Sequence, residues 1–418
     1  MTRTFCQVNL LLTFLLGPFA FANDNWPDFR GPAMDGHSDA KNLPLEWSEQ
    51  KNIRWKTPIA GRGWSTPVIW GDQIWLTTAT SDGKELYVLC LNKESGEVTR
   101  RIKVFEVEKP ETIHDLNSHA SPSPVIEAGR VYVHFGKHGT AAINTQTGSI
   151  VWRRADLSVS HSVGPGSSPV LSGKLLILTF DGTDSQYTVA LNTDHGETKW
   201  RTPRSIDLTS VQPESRKAFS TPIIAQVDGK PQIITTGANA AYGYDPESGR
   251  ELWRLGYDGF SHASRPVVGK GMMFLNAGYM KPQVLGARLG GSGIITDTHV
   301  VWQQASGAPN KPSPLLIDDC LYLIADGGVA NCLDIKTGQP IWTKRLGGSF
   351  SASPIYAAGK IYISDQDGKT FVFKAGREYQ QLAVNKLDEG CMASPPVSGK
   401  AIFLRTKTCL YRLEETAN

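Results

Sequence analysis

Asn144-Thr145-Gln146-Thr147-Gly148-Ser149-Ile150-Val151-Trp152 is the stretch that decides the fold. A side-chain oxygen at the first position caps a tight turn, and the glycine accepts positive φ. The tryptophan four residues later opens an outer strand, where its broad face can wedge between neighbouring sheets. The spacing returns as Asn192…Gly196…Trp200, Asp245…Gly249…Trp253 and Asp334…Gly338…Trp342. A further copy, Asn92-x-x-Ser95-Gly96, keeps the turn but carries Arg100 in the tryptophan position.

Upstream of each turn lies a second signature, Ser/Thr-x-Pro-Val/Ile or a close variant. Its prolines are 67, 124, 169, 222, 266, 314, 354 and 396. Between a proline and its turn come short β-rich runs, predicted in one unit as Val131–His134, Thr140–Asn144 and Ile150–Arg153. Asp-Gly hairpin signals recur at 82–83, 181–182, 326–327 and 367–368. Units of about forty to fifty residues with four antiparallel strands, repeated radially, make a β-propeller. The fold class is therefore all-β, an eight-bladed propeller of four-stranded antiparallel blades.

The last unit ends without its turn-Gly-Trp strand. Asn52-Ile53-Arg54-Trp55-Lys56 matches the missing piece, so an N-terminal strand is expected to complete the eighth blade and remove the open edges of the ring. Trp55, Trp152, Trp200, Trp253 and Trp342 are accordingly assigned to structural docking between blades.

Working outward, residues 1–22 read as a signal peptide. Arg3 forms the positive region, Leu10 to Phe21 the apolar region, and Ala20-Phe21-Ala22 the cleavage pattern. Residues 23–50 form a lead-in segment and 51–418 the propeller. The chain has 418 residues, a formal net charge of +3, 20% charged residues and no long Lys/Arg run, a balance that argues against disorder and against a nucleic-acid binder. Of its six cysteines, Cys6 falls in the leader. The other five contain no CxxC, CxxCH or adjacent pair, which excludes c-type haem and a cysteine-built zinc site. Cys320–Cys332 or Cys391–Cys409 could bridge neighbouring strands in an oxidising compartment.

The repeated Gly-x-x-x-Trp spacing, with the lead-in Trp26-Pro27-Asp28-Phe29-Arg30-Gly31-Pro32 and Leu43-Pro44-x-x-Trp47, resembles the PQQ-like (quinoprotein-type) β-propeller repeat family, to which the outer-membrane protein assembly factor BamB is related. No Trp-Asp dipeptide occurs, against a WD40 propeller. The resemblance implies two precedents. Quinoprotein dehydrogenases hold pyrroloquinoline quinone (PQQ) over a tryptophan floor, with calcium on Glu, Asn and Asp and an adjacent-cysteine disulfide. BamB-type proteins keep the propeller as a scaffold without a cofactor. This chain lacks the Cys-Cys pair and the long insertions of the enzymes, and no catalytic residue transfers onto it. The expectation is an exported, non-catalytic, monomeric propeller, periplasmic or secreted, that binds a protein partner or small ligand in the cell envelope with no cofactor. The alternative is a PQQ- and calcium-dependent dehydrogenase oxidising alcohols or sugars.

Residues just before each inner strand tend to face the central funnel. That rule nominates Arg62, Trp64, His119, Lys217, His262, Asn310, Lys311 and Phe350, a basic rim with aromatics suited to a small anion or acidic segment. No metal site is assigned. His114-Asp115 with His119 matches no ligand spacing, and Asp365-Gln366-Asp367-Gly368 has Gly376 where a calcium loop needs Glu, which makes it a hairpin turn.

Overall fold

The structure is a computed structural model and describes residues 24–415, so the leader assigned to 1–22 lies outside the described residues. Eight sheets form blades 1 to 8 in chain order, spanning 68–106, 125–154, 170–203, 223–256, 267–304, 315–345, 355–386 and 397–413. In blade 2 the strands after the short inner one are Arg130–His134, Thr140–Asn144 and Ile150–Arg154. Blade 8 takes its outer strand from Ile53–Pro58, antiparallel to Cys409–Leu413 with Trp55 opposite Arg412, and this closes the ring. Second strands such as Leu175–Asp181 are buried along their whole length, because both faces of a blade pack against neighbouring blades. The outermost Ile53–Pro58 is exposed at every second residue, following the strand period of two.

The turn chemistry is as read. Asn144 Oδ1 accepts the N–H groups of Gln146 and Thr147, both at 2.9 Å, and Gly148 has φ +76°. Four of the five docking tryptophans donate their indole N–H to the next blade, and Trp253 donates within its own. Trp152 donates its indole N–H to the Thr193 carbonyl at 2.9 Å and lies over Gly196. Trp200 reaches Pro246 at 2.8 Å and Trp55 reaches Lys93 at 3.1 Å. Trp302 does the same to Ile335 at 2.7 Å, a docking residue that the spacing rule passes over. The cause is the connection 289–299, which interrupts the turn in blade 5. Part of it, Gly293–Ile294, adds a fifth strand to blade 4, parallel to Trp253 and Arg254. Trp253 is thereby fully buried with its indole N–H on Gln232, and Trp342 donates to Gly376 at 3.1 Å.

The residue before each opening proline serves a second seam. The Thr66 N–H donates to Ser123 Oγ, the Ser123 N–H to Ser168 Oγ and the Ser168 N–H to Thr221 Oγ1, at 2.9 to 3.0 Å. On the other side of the ring, Arg265, Ser313 and Ser353 donate in the same way to Ser313, Ser353 and Ser394. A near-continuous circle of hydroxyls thus links the blades at their inner ends.

The lead-in runs across this circle. Trp26 pairs with Ile69 of blade 1 and the Pro27 carbonyl accepts from Ile126 of blade 2. Asp28 is ion-paired with Arg265 before blade 5, both side chains buried. Arg30 donates to the carbonyls of Pro314 and Pro354, before blades 6 and 7. His37–Ser38 then pairs with blade 7, and Trp47 donates its N–H to Asn385 at 2.9 Å. All five described cysteines are buried and free, so neither cross-strand disulfide considered from the sequence is formed in the structure.

Candidate functional site

The loops that lead into the inner strands converge on a cavity of about 580 Å³. Its inner end is occupied by Phe29, held between Asp28 and Arg30 of the lead-in. Its wall is apolar through Trp64, Phe219, Phe260, Tyr279 and Met392, and polar through the hydroxyls of Thr66, Ser123, Ser168, Thr221 and Ser394. Tyr279 and Leu116, 53% and 48% exposed, stand at the open end.

Of the eight residues nominated from the sequence, Trp64, Lys217, Asn310 and Lys311 line this cavity, whereas Arg62, His119, His262 and Phe350 do not. Arg62 stacks on the Trp64 ring at 5.3 Å and donates to the Asp115 carbonyl. His119 is buried against Gly83, with its basicity lowered by burial and then by Arg62. His262 is fully buried and held neutral, its pKa pulled to about 4 by burial and by Arg204. Phe350 packs in the core between blades 6 and 7. The strand entries therefore split, some side chains turning to the axis and their neighbours into the blade seams.

The cavity charges are internally paired. Lys217 Nζ donates to Glu214 at 2.5 Å and to Ser162 Oγ at 3.0 Å. Asp326 accepts the N–H groups of Asn310 and Lys311 at 2.9 and 3.1 Å, with Lys311 Nζ at 3.4 Å. His114 lines the cavity and accepts the Leu116 N–H at 3.1 Å. Among the described residues no group of three His, Cys, Asp or Glu is placed to hold a metal ion.

Several polar atoms on the wall have no partner. Trp64 Nε1, Thr66 Oγ1 and Asn310 Oδ1 are buried and unbonded. The hydroxyls of Ser123, Ser168, Thr221 and Ser394 accept a main-chain N–H each but donate to no described residue. Close to the inner end lie three buried arginines. Arg265 has Asp28, Arg30 donates mainly to carbonyls, and Arg405 donates to Ser65 alone. Burial lowers Arg30 and Arg405 to about 9, still cationic at neutral pH.

A PQQ–calcium group fits this set poorly. The inner end holds Phe29 in place of a tryptophan floor, and the two lining carboxylates, Glu214 and Asp326, are already engaged. The sequence rule missed Phe29 and the hydroxyl circle. The hydroxyls were visible as the residue before each proline, but Phe29 reaches the axis only through contacts made hundreds of residues away.

Comparison with known proteins places these features. The profile of the family described as Outer membrane protein assembly factor BamB matches residues 48–227, 184–289 and 295–382. The protein of that name from Yersinia pestis is 22% identical over 291 residues, covering 65% of this chain and 68% of that protein. The solved structure of BamB from Moraxella catarrhalis superposes with TM-score 0.60 at 13% identity, over 86% of this chain and 99% of that one. Quinohemoprotein alcohol dehydrogenase from Comamonas testosteroni gives TM-score 0.67 at 12% identity, over 96% and 82%. Identities this low in the solved structures carry the fold alone.

Proposed function

Since the chain belongs to the Outer membrane protein assembly factor BamB family, we propose that it is a non-catalytic binding scaffold of the cell envelope, exported to the periplasm or secreted. In this reading the open end of the axial cavity faces a partner, and no redox cofactor takes part. The observation that carries it is the pairing of both cavity carboxylates, Glu214 with Lys217 and Asp326 with Lys311. Those pairs leave neither carboxylate free as a base for proton abstraction or as a ligand for an activating cation.

The test is site-directed photo-cross-linking in cells of the native host. A cross-linker at Leu116 or Tyr279, at the open end, is expected to give discrete protein adducts. The same group at Val98 or Val151, exposed elsewhere, is expected to give none. Saturable stabilisation by PQQ with calcium, accompanied by dye reduction on alcohols or sugars, would instead establish the dehydrogenase.

A further inference from the structure

We propose that the axial cavity is a carboxylate-receiving pocket, taking an apolar group that ends in a carboxylate, with its oxygens on the donors of Trp64, Thr66, Ser123, Ser168 and Thr221. This deepens the scaffold reading by naming the chemistry received at the same site.

The argument begins with hydrogen-bond supply. Buried donors ordinarily have acceptors, yet Trp64 Nε1 has none and Thr66, 1% exposed, has an unbonded hydroxyl. Each circle hydroxyl has accepted one N–H from the neighbouring blade and keeps its proton. A wall on which several hydroxyls and an indole still have a proton to give matches a ligand rich in acceptors. A carboxylate is such a group, and bonds to it are charge-assisted.

Charge points the same way. Around the inner end Arg30, Arg265 and Arg405 face two carboxylates, Asp28 in a buried ion pair with Arg265 and Asp35 acting on Arg30, leaving one positive charge in excess in a water-poor setting where fields are strong. The lysines nearer the opening are already neutralised by Glu214 and Asp326. Size and lining supply the rest. About 580 Å³ walled by Phe219, Phe260 and Met392 is far more than an inorganic anion fills, and those side chains favour an apolar body. The carboxylate could belong to a free organic acid or to the C-terminus of a polypeptide; the chemistry is shared.

The experiment uses the purified mature protein and calorimetric titration with 3-phenylpropionate, its amide, and a short peptide ending in Leu-Phe as acid and as amide. Acids are expected to bind about tenfold or more tightly than amides. Binding by the small acid alone identifies a free-acid site, and binding by the peptide acid alone a chain-terminus site. Thr66→Val removes one donor while keeping shape, Trp64→Phe removes the indole donor while keeping an aromatic ring, and each is expected to weaken the acid severalfold while the melting temperature of the free protein stays near wild type. Equal affinity for acid and amide, no saturation by either acid, or unchanged acid binding in both variants would overturn the proposal. Cross-linking that failed while acid-over-amide discrimination persisted would remove the scaffold reading and leave the pocket.

Discussion

Arg100 lies across Gly148 of the next blade as Trp152 lies across Gly196. Its Cδ sits 3.0 Å from where a Cβ on Gly148 would stand, and its Nη2 donates to the Gln146 carbonyl at 2.7 Å. The blade 1–blade 2 seam is thus closed by a flexible cation doing the work of an indole. Arg100→Trp is expected to stabilise the fold by about 1 kcal/mol through added aromatic burial, and Trp152→Arg to destabilise it by more. Urea denaturation decides, and a Trp152→Arg protein as stable as wild type would count against the docking role.

Gly196 combines φ +72° with a Cβ position only 2.7 Å from the Trp152 ring, whereas Gly173, at φ +57°, has nothing within 4 Å. Gly196→Ala should therefore cost both backbone strain and a displaced indole, about 2–4 kcal/mol, against about 1 kcal/mol of strain alone for Gly173→Ala. Thermal melts of the two variants separate the terms. Equal losses would mean that the indole moves freely.

The Asp28–Arg265 pair, with side chains 3% and 1% exposed, fixes the lead-in at the axis. Asp28→Ala leaves a buried guanidinium whose acceptor is the Pro222 carbonyl. The expected loss is about 3–5 kcal/mol. Loss of under about 1 kcal/mol in chemical denaturation would show that the lead-in is not anchored there.

Two sets of buried groups pull stability in opposite directions with pH. His134 is held near 3 and His138, His161 and His262 near 4, all by burial first, against an ordinary 6.5. Between pH 6.5 and about 4 the unfolded chain takes up protons that the folded chain refuses, so acid destabilises. Glu111 runs the other way, its buried carboxyl raised from 4.5 to about 7 and only weakly offset by Lys137 at 3.7 Å. Its contribution is complete below pH 4.5 and lost as pH rises through 7. The stability gain of Glu111→Gln over wild type should grow from pH 5 to pH 8, by up to about 3 kcal/mol. A pH-independent difference would contradict the buried, weakly paired state.

Cys90, Cys320, Cys332, Cys391 and Cys409 are buried, and burial raises the thiols of Cys90, Cys332 and Cys391. Protein produced without residues 1–22 should, when folded, react slowly or not at all with a thiol reagent, and when denatured should expose all five. Fast labelling of the native state, or fewer than five thiols after denaturation without reductant, would show a different cysteine state.

What was legible in the sequence is what repeats locally. Asn144 to Trp152 states a turn, a glycine and a wedge within nine residues, and the eight opening prolines state the blade count. Trp302 escaped because the connection 289–299 removes its turn. The site was half legible. The rule that side chains before an inner strand face the axis found Trp64 and Lys217, but at the same entries His262 and Phe350 turn into the seams, and a one-residue shift reverses direction. Phe29 was beyond reach, because Asp28 and Arg30 are held by residues 237 and 324 positions away.

Blade 8 joins Ile53–Pro58 to Cys409–Leu413, which sets an order on events. A chain emerging from the ribosome holds one half of its clasp long before the other. The ring has no closed intermediate, and blades formed early keep an open flank until the last strands arrive. Late locking of this kind leaves strand edges of the early blades unpaired while the chain is being made.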